Sequence, residues 1–225
     1  MRKTTLFFIV LFIVLSVPTL RAQTLITLYN FKNSPDSRYP VGHLLRDREG
    51  NLYSAAARGG STDWGTIFKI DPAGNETVLY NFGLDTQGPS SLTMDSVGNF
   101  YGTTYTNGGG YGSVFELDAS GNFVVVHTFD GIPDGEYPAS GLILDKTGNL
   151  YGITQFGGAL NFGTLFEVDA AGHETVLHSF SGSPDGMFPV GDLVMDKRGN
   201  LYGTTWSGGS FEDGTVFKVD TAGHE

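Results

Sequence analysis

The sequence predicts an all-β fold, a β-propeller-type repeat of four-stranded antiparallel blades built from four units of about 50 residues. Three observations predict it. A Gly-Asn-x-Tyr phrase returns at Gly50 to Tyr53, Gly98 to Tyr101, Gly148 to Tyr151 and Gly199 to Tyr202, with the tyrosines 48, 50 and 51 residues apart. The runs around it alternate with the period of a strand: Thr66, Phe68 and Ile70 point one way while Ile67 and Lys69 point the other. Between the runs stand Asp-x-x-Gly segments, in which Asp bonds its own backbone and Gly supplies positive φ, the chemistry of a tight turn.

Each element follows in order. An aliphatic run ending in Asp is the first strand, and Asp47 to Gly50, Asp95 to Gly98, Asp145 to Gly148 and Asp196 to Gly199 turn it into the second, which carries the Tyr. A Gly-Thr-aliphatic-Phe run is the third strand. Asp71 to Gly74, Asp118 to Gly121, Asp169 to Gly172 and Asp220 to Gly223 turn it into a fourth, which ends in Phe. The units are 24–76, 77–123, 124–174 and 175–225, within a repeat domain spanning 23–225. A lone meander leaves its apolar faces in water, so units must stack, and radial stacking of four-stranded sheets is a propeller. A β-solenoid fits less well, because its strands are parallel and these turns require antiparallel pairs. The expected core is the repeated Tyr and Phe set, Tyr53, Phe68, Phe82 and their equivalents. Leu25 to Phe31 reads as a fourth-type strand that could close a ring against Thr215 to Asp220; over that closure the reading favours four units of a longer array.

Residues 1–22 read as a signal peptide: Arg2 and Lys3, an apolar run from Leu6 to Val17, and Ala22 before the cleavage point. Ser16 and Pro18 interrupt that run short of the roughly 20 residues of a membrane span, which disfavours an uncleaved anchor. With no cysteine anywhere, stability does not come from disulfides. Loss of Arg2, Lys3 and Arg21 from 13 basic residues leaves 10 against 24 acidic, a net charge of −14. That charge excludes nucleic acid and anionic membrane as expected partners and suits a soluble exported protein.

Leu201-Tyr202-Gly203-Thr204-Thr205, Gly208-Gly209, Gly214 to Lys218, Thr175 to Phe180 and Pro184-Asp185-Gly186 together resemble the GloVer tandem repeat of bacterial surface proteins. The resemblance covers the whole repeat domain and implies an exported, surface-displayed protein; it brings no catalytic residues. Unit II departs most, with Gln87-Gly88-Pro89 in place of the Asp-Gly-x-x-Pro spacing, and unit I has Ser54-Ala55-Ala56 for Gly-Thr-Thr.

Strand alternation puts the tight turns on one face and the longer connections on the other, and the long-loop face is where a ligand is expected. Trp64, Tyr111 and Phe162 hold one repeat position and read as packing between units. Tyr105 and Trp206, matched by Ala57 and Gln155, are less repetitive and read as stacking surfaces. Arg58 is an unrepeated cation. His43 aligns with Ser91, Gly141 and Asp192 at the innermost strand. A His, Asp and Ser there suggest a hydrolytic set, but the expectation is that ring neighbours stand several ångströms apart, beyond triad contact. The other histidines align with Tyr or Asn and read as scaffold. Asp36, Asp85, Asp134 and Asp185 read as turn residues rather than a calcium ring. The expected site is therefore Arg58, Tyr105, Trp206, His43 and Asp192, with no catalytic residue, metal or cofactor. Its expected partner is an extracellular glycan or protein; a structural matrix component and a glycan-processing enzyme are the alternatives.

Overall fold

A computed structural model describes residues 24–32, 34–107, 109–138 and 140–220; the signal-peptide reading over 1–22 lies outside the described residues. Blade I pairs β1 (Ser37–Arg46), β2 (Leu52–Gly59), β3 (Thr66–Ile70) and β4 (Glu76–Asn81) in that order, all antiparallel. Blade II repeats the order with β5 (Gln87–Met94), β6 (Phe100–Thr106), β7 (Ser113–Leu117) and β8 (Phe123–Thr128). In blade III the inner strand is broken into β9 (Gly135–Pro138) and β10 (Ile143–Leu144), both on β11 (Leu150–Gly157), followed by β12 (Thr164–Val168) and β13 (Glu174–Ser179). Among the described residues blade IV has three strands, β14 (Gly186–Met195), β15 (Leu201–Gly208) and β16 (Val216–Val219).

The tight turns form as the Asp-x-x-Gly pattern dictates. Asp47 Oδ1 accepts the backbone N–H of Glu49 and Asn51, both at 2.9 Å, and Asp196 Oδ1 accepts those of Arg198 and Asn200 at 2.7 and 3.0 Å. Each Asp thereby satisfies backbone donors that the turn leaves outside the ladder.

Blade stacking buries the predicted phenylalanines. The Phe after each fourth strand meets the third-strand Phe of the next blade edge-to-face: Phe82 on Phe115 at 5.3 Å, Phe129 on Phe166 at 5.0 Å and Phe180 on Phe217 at 5.1 Å. This geometry suits the ring quadrupoles and removes large apolar areas from water, worth about 1.5–3 kcal/mol per side chain. A second device recurs beside it. Gly65, Gly112 and Gly163 face Pro89, Pro138 and Pro189 of the following blade so closely that a Cβ on Gly163 would fall 2.5 Å from Pro189 Cδ.

Two expectations need correction. Leu25 to Phe31 is not a strand and does not pair with β16; it lies against blade I, where Phe31 meets Phe68 at 5.0 Å, so blade IV lacks a fourth strand among the described residues. Among the described residues the stack is therefore open. Val216 of β16 is 82% exposed, whereas its equivalents Ile67, Val114 and Leu165 are 0% exposed beneath the next blade. Finally, of the repeated tyrosines only Tyr151 is fully buried. The others are half-buried at the rim, and their hydroxyls donate to acidic groups: Tyr53 and Tyr202 to Asp47 and Asp196 at 2.9 and 3.0 Å, and Tyr101 to Glu116 at 3.3 Å.

Candidate functional site

One residue before the blade-locking proline, Tyr39, Gly88, Tyr137 and Phe188 all sit in the left-handed region, at φ 54°, 65°, 55° and 58°. That backbone is costly for a side chain and persists here because the repeat imposes it. Its consequence is to aim an aromatic ring at the preceding blade. Tyr137 receives Tyr105 face to face at 4.8 Å, and Phe188 receives Phe156 at 5.2 Å and Phe162 edge-on at 5.8 Å. Between blades I and II the same pair of positions holds Gly88 and Ala57, so neither side supplies a ring. A cavity of about 780 Å³ opens there.

Arg58, Trp64, Tyr105, His43 and Asp192 line this cavity, so four of the five residues expected from sequence come together. Trp206 does not join them: it is 71% exposed on β15, on the uncovered side of blade IV. Trp64, read from sequence as packing between units, packs against the core beside Phe82 and Phe115 and also lines the cavity, with the Arg58 guanidinium over its ring at 5.5 Å. The repeat alignment could not assign it that role, because its equivalents Tyr111 and Phe162 do pack on aromatic rings of the next blade.

The cavity floor is the meeting of the four inner segments. His43 Nδ1 shares a hydrogen bond with Ser91 Oγ at 2.9 Å, and the His43 backbone N–H donates to the same oxygen at 3.2 Å. His43 Nε2 lies 3.1 Å from Asp192 Oδ2, while Asp192 Oδ1 accepts the Gly141 N–H at 3.0 Å. The expectation that these residues stand several ångströms apart is therefore wrong. The inner strands approach so closely that a Cβ on Gly42 would fall 2.6 Å from the Ser91 Cα, and the long imidazole bridges what remains. With the proton on Nε2 towards the carboxylate, Nδ1 is the acceptor for the Ser91 hydroxyl. Ser91 itself is 5% exposed, while the His43 and Asp192 side chains are about half exposed.

Three of the four repeated aspartates accept local hydrogen bonds. Asp36 accepts the Tyr29 hydroxyl at 3.0 Å, and Asp185 accepts the Ser181 N–H at 2.8 Å. Asp134 accepts the Asp130 N–H at 3.0 Å.

Four antiparallel sheets packed side by side define a propeller-like protein with a cavity at one inter-blade interface. The chain belongs to the Gloeobacter/Verrucomicrobia repeat family, whose pattern matches residues 16–217. None of the curated proteins matches its sequence. Among solved structures it is similar in fold to a putative gluconolactonase, at TM-score 0.52 and 17% identity over 80% of this chain and 59% of that one. A luciferin-regenerating enzyme is similar at TM-score 0.53 and 16% identity, over 85% of this chain and 61% of that one. PorZ, a bacterial surface component of the type-IX secretion system of Porphyromonas gingivalis, is similar at TM-score 0.52 and 13% identity, over 82% of this chain and 26% of that one. The chain thus spans less than two thirds of the length of each. Among the described residues no helix is long and apolar enough to cross a membrane.

Proposed function

We propose that this protein is an exported binding module of the cell surface or its surroundings, and that an extracellular glycan seats in the cavity between blades I and II. One observation carries the reading: Ala57 and Gly88 empty the interface that Tyr105 and Tyr137 fill one blade later. Trp64 and Tyr105 then offer flat faces to a sugar ring, and Arg58, His43 and Asp192 offer donors and acceptors for its hydroxyls. A panel of bacterial and host polysaccharides, screened by array and titrated by calorimetry, tests it. Trp64→Ala or Arg58→Ala should weaken binding roughly tenfold or more, since a cation–π pair and a stacking face are lost together. Trp206→Ala should leave this site unaffected. Binding that follows Trp206 and ignores Trp64 would move the site to the open side of blade IV.

The contact among Ser91, His43 and Asp192 favours a second reading, hydrolysis of an extracellular saccharide derivative with Ser91 as nucleophile and His43 as base. Labelling by a serine-directed fluorophosphonate, abolished in both Ser91→Ala and His43→Ala, would support it. Absence of labelling leaves the binding module standing.

A further inference from the structure

One repeat position, at the seam between consecutive blades, is settled in three different ways. At the entry to blade I, Tyr29 donates its hydroxyl to both carboxylate oxygens of Asp36 at 3.0 Å and lies 3.4 Å from Glu76, whose other oxygen accepts the Ser37 N–H at 3.1 Å. At the next seam the acid is replaced by Phe123, and Tyr80 stacks on it at 4.2 Å with the planes 6° apart. At the seam between blades II and III the tyrosine is replaced by His127 while both acids, Asp134 and Glu174, remain.

This third arrangement leaves polar atoms without partners. Among the described residues, five buried side-chain nitrogens or oxygens lack a hydrogen bond, and three of them are His127 Nε2, Asp134 Oδ1 and Glu174 Oε1. Each such atom is costly, and native proteins rarely leave several together unless something else satisfies them. The nearest approach, His127 Nε2 to Asp134 Oδ2, is 3.3 Å and is not directed as a hydrogen bond, whereas His178 Nε2 bonds Asp185 Oδ2 at 3.0 Å in the following unit. The ligand-type atoms of His127, Asp134 and Glu174 nevertheless all lie within 4.8 Å of one another.

We propose that His127, Asp134 and Glu174 form a site for a divalent transition-metal ion of the zinc class, which clips blade II to blade III. A tetrahedral zinc ion with bonds of about 2.0–2.2 Å holds its ligand atoms roughly 3.3–3.5 Å apart, so the His127 and Asp134 spacing already matches and Glu174 closes by side-chain rotation. One imidazole nitrogen and two carboxylate oxygens are the ligands of a borderline ion with a fourth position left for water. Calcium is disfavoured because it needs six to eight oxygens. The ion would join β8 to β13 across a seam and so act as a staple in a chain without cysteine.

The test uses the whole chain without a histidine tag, stripped with chelator and titrated with Co²⁺ as the spectroscopic stand-in for zinc. Visible absorption and melting temperature are followed together. The expected result is a d–d band saturating with a rise in melting temperature, repeated by Zn²⁺ in temperature alone and not produced by Ca²⁺. His127→Tyr installs the solution that unit I already uses, so it should fold with an unchanged or higher metal-free melting temperature and lose both metal responses. Glu174→Gln, which keeps shape, should weaken Co²⁺ binding at least tenfold. The proposal is overturned if the wild type gives no band, if the band survives in His127→Tyr, or if it is lost in His178→Tyr and kept in His127→Tyr.

Discussion

Tyr105 stacks on Tyr137 at 4.8 Å and 21°, closing the seam between blades II and III at the point where Ala57 and Gly88 leave the preceding seam open. The same backbone therefore serves as wall or as cavity according to two side chains.

Filling that cavity is the direct test of its role. Gly88→Tyr is compatible with the local backbone, because Tyr39, Tyr137 and Phe188 adopt the same positive φ, and a Cβ on Gly88 meets only Tyr105 Cβ at 3.5 Å. The variant should fold, losing about 1–2 kcal/mol of stability to the positive φ, and polysaccharide binding should fall by more than tenfold in calorimetry. Undiminished binding would place the ligand elsewhere.

The open stack makes equivalent strands unequal. Leu165→Ala, under blade IV, should cost about 2–5 kcal/mol in urea unfolding. Val216→Ala, at the equivalent position of β16 but 82% exposed, should change stability by less than about 0.5 kcal/mol. Similar costs at both would mean that another surface covers blade IV in solution.

The phenylalanine ladder couples the blades. Phe166 is fully buried and touches Phe129 of the previous blade, so Phe166→Ala should cost about 3–5 kcal/mol. An unmoved melting temperature would contradict the seam geometry.

Acid should loosen the tight turns. The Asn200 side-chain amide, seconded by backbone N–H groups and the Tyr202 hydroxyl, holds the Asp196 carboxyl at about 2, below its ordinary 3.8. Asp47, Asp71 and Asp118 shift the same way, led in each case by the Asn four residues on. A depressed folded pKa contributes stability that is fully present above the unfolded value and is lost as pH falls through the folded one. The urea midpoint should therefore fall between about pH 4 and pH 2. The advantage of wild type over Asp196→Asn should shrink across that window; a constant difference would show that the carboxylate charge is not what the turn uses.

The sequence by itself determined the repeat period, the strand order within a blade, the Asp-x-x-Gly turns and the phenylalanines that seal the seams. These are legible because strand alternation and turn chemistry are properties of neighbouring residues. It also marked Arg58, Tyr105, His43 and Asp192 as departures from the repeat. Tertiary structure alone decided which departures meet. Ala57 and Gly88 belong to different units and become one cavity only because consecutive blades stack face to face. His43 reaches Asp192 because the inner strands converge, a distance no spacing along the chain encodes. His127 looked like a scaffold variant of tyrosine until stacking brought it to Asp134 and Glu174, since the partners of a seam residue are set by the rotation between sheets and not by the period within them.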